Sequence, residues 1–219
     1  MFAKGLLVDK VVYVGRNPYM EPYRGHDVTE RLENNAKRAT QTKENVLIWE
    51  KETLLRSHTA SPYTPAEPPE DAFWRTLMAG RTLDWDGLQV IHRSCFNIWL
   101  NREQMPDSAV EQHSTASPQE QKRRFVKPFT DACVSRCHGR SFIITEKGYL
   151  GLAPFKTDIG DAVVVLQGSY VSHVLRRRED NDEGESSWEF VGESYVHGIM
   201  EGQAIQQATE QDVQEFKLV

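Results

Sequence analysis

Each thing missing from this sequence removes a class of function. No apolar run approaches the roughly 20 residues that a membrane-spanning helix needs. The opening MFAKGLLVDK has neither the length nor the small-residue cleavage site of a signal peptide. Cysteine is scarce: there are 3, an odd number that suits reduced thiols and a cytoplasmic setting. Positive charge is not in excess, since the net charge is −6, and the one basic run, Lys122-Arg123-Arg124, is too short to track a nucleic-acid backbone. It reads as a solvated helix face. There is no G-x-S-x-G, no phosphate loop, no G-x-G-x-x-G and no H-E-x-x-H. Nothing therefore points to a nucleophilic hydrolase, a phosphoryl transferase or a nucleotide cofactor. No metal and no cofactor is expected.

What remains is an ordinary globular composition. The 219 residues are 39% apolar, 26% charged and 10% aromatic. That length suits one domain with a sizeable core. Leu6-Leu7-Val8 and Val11–Val14 read as one interrupted strand or a tight pair of strands. Asp27 can cap a first helix through Leu32 and Ala36. Lys43 to His58 reads as a second, with Leu47/Leu54 and Ile48/Leu55 repeating at i+7. Thr59 to Pro69 is proline-rich and reads as an extended linker or a loop wrapped over the surface. The segment EPPEDAFWRTLMAG (residues 67–80) has Pro69 at a first helical position, Glu70 and Asp71 at the positive end of the helix dipole, and Gly80 at the C-terminal cap. The cleanest helical pattern places Leu88, Ile91, His92, Cys95, Phe96 and Trp99 on one face. Ser117-Pro118 opens a last helix, with Glu120 completing a capping box and Pro128 expected to kink or split it.

After Gly139 the apolar period changes from 3.6 to 2. Segments 141–145, 149–152, 162–167, 170–176, 188–193 and 213–218 read as strands, separated by Lys147-Gly148, Gly160-Asp161 and Gly168-Ser169. EDNDEGESS, from Glu179 to Ser187, reads as a solvated hairpin tip. The expected fold class is α+β: a small antiparallel sheet or partly open barrel, strands mainly 141–194 plus terminal strands, packed against helices at about 43–138. The domain expectation is a single unit over 1–219. Its helical part is about 27–138, and its β-rich part is about 140–219 plus the strand at 6–14.

Two side-chain clusters are candidates for a site. Tyr19, Tyr23, Phe73, Trp74, Phe96 and Trp99 are aromatic. Tyr149, Tyr170, His173, Glu193, Tyr195 and His197 are polar and lie on strands. Alternation puts Tyr195 and His197 on one face, and the chain turns away at Gly198. Helices packed on the sheet could bring the clusters together across an apolar cleft with a few hydrogen-bond donors, the usual make-up of a small-molecule pocket. Core packing is the competing reading of the same residues. Cys133-x3-Cys137-His138 has metal-ligand types but not the spacing of a closed four-ligand site.

Longer strings carry a resemblance. RSFIITEKGYLGLAP, GDAVVVLQGSYVSHVLRR and WEFVGESYVHGIMEGQA closely resemble the C-terminal region of fungal heterokaryon incompatibility (HET) proteins. There, "T..G..GLGP", "GD.V.VL.G...P.VLR" and "LVGE.YVHG.M.GEA" follow in order. GLLVDKVVYVG and EDAFWRTLMAG resemble the family's preceding segments, so the likeness runs from Lys4 to Leu218. Ala153 stands for a glycine of the pattern, His173 for a proline and Gln203 for a glutamate. The family's N-terminal incompatibility domain is expected to lie outside this chain, and with it the cell-death signalling.

The family includes short members in natural-product pathways, a norbornene-forming Diels–Alder cyclase among them. The resemblance therefore implies a cofactor-independent pericyclase acting on a hydrophobic terpenoid with an enal or similar carbonyl. An intramolecular Diels–Alder reaction needs a folded substrate and a donor to the dienophile carbonyl. His197, Tyr195, Tyr149 and His173 are the expected donors. Tyr23, Phe73, Trp74, Phe96, Trp99 and His92 are the expected substrate-binding residues. The expected partner is a hydrophobic small molecule, such as a terpenoid aldehyde, with no nucleic acid. Two alternatives stand beside this reading: a non-catalytic interaction module derived from a HET-type receptor, and an acid/base isomerase using His197 and Glu193.

Overall fold

A computed structural model describes residues 1–16, 28–57, 61–83, 87, 90–111, 114–178, 187–206 and 208–219, with backbone alone at 28–36 and 90. Asp27, Tyr19, Tyr23 and the 179–186 hairpin tip lie outside the described residues. The fold is α+β. Seven strands run β1 (Phe2–Arg16), β2 (Arg140–Thr145), β3 (Leu150–Pro154), β4 (Ala162–Leu166), β5 (Ser172–Arg178), β6 (Ser187–Val196) and β7 (Val213–Lys217). The helices are α1 (Val28–Ser57), α2 (Pro69–Leu77), α3 (Val90–Trp99), α4 (Pro118–Cys137) and the short α5 (Gln203–Gln206).

The sheet order is β2-β3-β6-β5-β4-β1-β7, and β1 also pairs β2. That last pairing closes six antiparallel strands into a barrel, with β7 added outside on β1. The barrel is thus fully closed, where the strand pattern left it open or partly open. Closure depends on β1 being one 15-residue strand that serves two neighbours. Its first half pairs β4 and its second half pairs β2, with register shifts at Leu7/Asp9 and Val11/Tyr13. Such irregularities bend a strand and tighten its twist, which a small barrel requires.

Alternation sorts the core into layers. Val8, Val11, Ile143, Ala153, Val163, Val174 and Val196, drawn from all six barrel strands, form one buried cluster that fills the barrel. Their neighbours point outward. Phe142, Ile144, Leu150 and Leu152 join the helices' buried residues in the largest cluster. Ala162, Val164 and Leu175 meet Phe216 of β7 on another outer face. Strands buried on both faces read as continuous apolar runs, as FII and AVVV do.

In the helical layer an aromatic chain runs through the interior. Trp49 stacks on Phe142 at 5.3 Å; Phe142 meets Phe73, Phe73 meets Phe96, and Phe96 and Trp99 both meet Phe129. The two helices expected before residue 58 are a single α1. The polar stretch around Lys37–Thr42 interrupts the apolar pattern without ending the helix. α4 also runs unbroken through Pro128. Half of the expected capping box is present at its start: Ser117 Oγ accepts from the Glu120 N–H at 3.2 Å, while the Glu120 carboxylate turns to other partners. Glu120 then forms ion pairs with exposed Arg123 and Arg124, in keeping with a solvated face. Among the described residues, no helix is long and apolar enough to cross a membrane.

Candidate functional site

A cleft of about 1100 Å³ opens where the helices meet the end of the barrel. Its walls come from the turn after α2 (Ala79, Gly80, Arg81), the end of α4 (Ser135, Arg136), Arg140 and Leu152 of β2 and β3, and Glu193, Ser194 and Tyr195 of β6. His197, Met200 and Glu201 follow from the turn after β6, and Tyr170 stands at the mouth, 97% exposed.

The polar chain on this wall is continuous. Tyr195 Oη lies 2.8 Å from His197 Nδ1. His197 Nε2 lies 3.0 Å from Glu67 Oε1, and Glu67 also takes the Arg75 guanidinium. Burial pushes the Glu67 carboxyl up, but the hydrogen bonds from His197 and Arg75 outweigh this and hold it below its ordinary value. An ionised Glu67 can only accept, so Nε2 carries the proton of a neutral His197, and Nδ1 accepts the Tyr195 O–H. Burial lowers the His197 pKa by more than Glu67 raises it. Burial, with the charges of Glu67 and Glu201, pushes the Tyr195 phenol well above its usual value. Tyr195 therefore stays a neutral phenol.

Protonating His197 changes what Tyr195 can do. With both ring nitrogens donating, Nδ1–H points at the phenol oxygen, and the Tyr195 proton is released toward the cleft. The wall thus holds a hydrogen-bond donor whose direction depends on its neighbour's charge.

The proline-rich segment before α2 builds this arrangement. It wraps over the barrel end as a loop. Tyr63 Oη accepts the Leu150 N–H at 2.9 Å and donates to the His197 carbonyl at 3.3 Å, while His197 N–H donates to the Leu150 carbonyl at 2.8 Å. Four residues after Tyr63, the same loop delivers Glu67 to the imidazole. On the opposite side, Gly80 has φ +72°, and a Cβ there would sit 2.7 Å from Tyr195 Oη. Gly80→Ala is therefore expected to cost about 1–3 kcal/mol from left-handed backbone strain and crowding, and to displace the phenol from His197. A thermal melt and the Tyr195 ring shifts in an NMR spectrum check this; unchanged values for both would contradict it.

The remaining expected residues lie elsewhere. Tyr149 is half-buried, edge-on to Tyr63 at 6.4 Å, so it supports the loop behind the cleft wall. His173 is buried on β5, opposite Glu193 and 5.3 Å from Phe190; its Nδ1 has no partner among the described residues, and burial lowers its pKa. Phe73, Trp74 and Phe96 are buried in the helical core, Trp99 packs against that core, and His92 is buried on α3. None of these lines the cleft, whose wall mixes charged side chains with Leu152, Val171 and Met200 where an aromatic wall was expected. His197 pairs with Glu67 rather than with Glu193. Tyr23 lies outside the described residues.

Glu67, Arg75, Tyr63, Gly80 and Arg140 were missed by sequence reasoning. Only the glycine's place as a helix cap signalled any of them. Burial pushes the Cys95 thiol up to about 11, and the Cys137 hydrogen bond, with burial, raises Cys133 further, so these thiols stay protonated. Among the described residues, no three His, Cys, Asp or Glu side chains converge as a metal-ligand set.

Residues 99–219 match the Het-6 β-barrel domain family. Over 74 residues the chain is 35% identical to heterokaryon incompatibility protein 6, OR allele, of Neurospora crassa. That stretch is 34% of this chain and spans about 11% of the relative's length. No solved structure matches the chain.

Proposed function

The chain belongs to the Het-6 β-barrel domain family, and on that premise we propose that it is a cofactor-independent pericyclase. It folds a hydrophobic terpenoid in the cleft and closes it by an intramolecular Diels–Alder reaction. The observation that carries this reading is the neutral Tyr195 phenol, held by His197 and Glu67 on the wall of a cleft large enough for such a molecule. A cycloaddition transfers no proton. It is accelerated by holding diene and dienophile in a reactive pose, and by a donor at the carbonyl oxygen, which gains electron density in the transition state. Tyr195 is that donor, His197 and Glu67 position it, and the reaction runs in the cytoplasm.

The pH profile of cyclisation tests the reading. Tyr195 donates into the cleft when His197 is protonated. His197 titrates below its ordinary 6.5 because burial disfavours the cation. The rate is therefore expected to be level between about pH 7 and 8 and to climb as pH falls through that lowered value. The acid limb should vanish in His197→Gln. A bell-shaped profile that collapses in the same variant would mean acid/base isomerisation instead.

One observation favours a second reading, a non-catalytic interaction module. Leu47, Ile48, Leu54 and Leu55 form an exposed apolar stripe on α1. A module of that kind would leave terpenoid cyclisation at the buffer rate at every pH.

A further inference from the structure

Arg140 begins β2 and lines the cleft. Its Nη1 donates to the Glu193 carbonyl at 3.0 Å and to the Leu152 carbonyl at 3.5 Å. Among the described residues, no carboxylate lies within ion-pair range of it, and neither Nε nor Nη2 makes a hydrogen bond. Two further facts sharpen this. Burial lowers its pKa; the Glu193 charge, outside ion-pair range, offsets this only in part, and Arg136 adds a second positive charge beside it. A guanidinium costs free energy when it is taken from water without an anion. Here one nitrogen is anchored to two strands, and the Nε/Nη2 edge is left over. That edge presents two parallel N–H bonds, which match a carboxylate bidentately.

We propose that Arg140 is the receptor for a substrate carboxylate, so that the cleft takes a hydrophobic acid carrying a carbonyl elsewhere on its skeleton. The inference deepens the reading of the cleft as a substrate site and rests on it. Glu193, whose carbonyl anchors Arg140, precedes Tyr195 by two residues on β6, so both groups belong to one stretch of the cleft wall. The molecule is held at two points, its acid group on Arg140 and its carbonyl on Tyr195, while its hydrocarbon part folds between them. The ligand is a carboxylate rather than a diphosphate, because the open Nε/Nη2 edge is one fork that matches the two oxygens of a single carboxylate.

Calorimetric titration of the full chain at pH 7.5 tests this with three probes: abietic acid, its methyl ester and geranylgeranyl diphosphate. The acid should bind at least tenfold more tightly than the ester, and more tightly than the diphosphate. In Arg140→Gln the preference for acid over ester should fall below twofold. Arg140→Lys keeps the charge and removes the fork, so it should retain only a severalfold preference; it also guards against a variant that fails to fold. No binding of the acid, equal binding of acid and ester, tighter binding of the diphosphate, or a preference that survives in Arg140→Gln would overturn the proposal. Failure of the cyclase reading looks different. The acid preference and its dependence on Arg140 would remain, while no substrate is cyclised.

Discussion

On the acid limb, where His197 is protonated, Tyr195→Phe lowers the cyclisation rate by roughly 10²-fold and leaves substrate binding nearly unchanged. Loss of one preorganised donor at a developing oxyanion typically costs that much. The phenol donates only as the carbonyl oxygen gains charge, so the loss should fall on kcat rather than on KM. The fold should survive. Among the described residues Tyr195 Oη bonds a single group, His197 Nδ1, and leaving that acceptor unpaired costs only about 1 kcal/mol. The acid limb of the pH profile should disappear as well, since His197 would then have no phenol to redirect. A Tyr195→Phe protein that keeps full activity would remove Tyr195 from the mechanism. Stopped-flow or chromatographic assays on a diene–enal terpenoid decide between these outcomes.

The second large effect is on stability. Trp49→Ala should cost about 3–5 kcal/mol, the range for deleting a fully buried large aromatic. Trp49 is 1% exposed and lies on Phe142 with the rings within 10° of parallel. It also rests against the backbone of β1: a Cβ on Gly15 would come within 2.3 Å of its ring, so only glycine permits that approach. One side chain thus fastens α1 to both strands that close the barrel, and its removal opens a cavity between the layers. Chemical denaturation should show the loss, with a melting temperature lower by roughly 10 °C. A loss below about 1 kcal/mol would mean that α1 is held by other contacts.

Much of the fold was legible because it is local. The change of period after Gly139 marked where strands begin, and Pro69, Glu70 and Asp71 marked the start of α2. Barrel closure was not legible. It depends on β1 changing partners midway, and nothing in LLVDKVVYV says which strands lie on either side. The HET-type strings identified the family, and Tyr195 and His197 stood out by alternation. Their partner Glu67 did not, because 130 residues separate it from His197 and it lies in a segment whose prolines say only that it is not helical. The aromatic residues mark the opposite limit. A period of 3.6 states that Phe73, Trp74 and Phe96 are covered, and it is silent on whether a core or a ligand covers them. The core does so here.

The central claim is that the cleft itself closes the ring. The direct measurement is cyclisation of a linear diene–enal terpenoid by purified, chelator-dialysed protein at pH 6, with the products resolved by stereochemistry. At least a hundredfold acceleration over buffer, delivered as a single stereoisomer, is the expected result. A rate and an isomer ratio equal to those in buffer would contradict it.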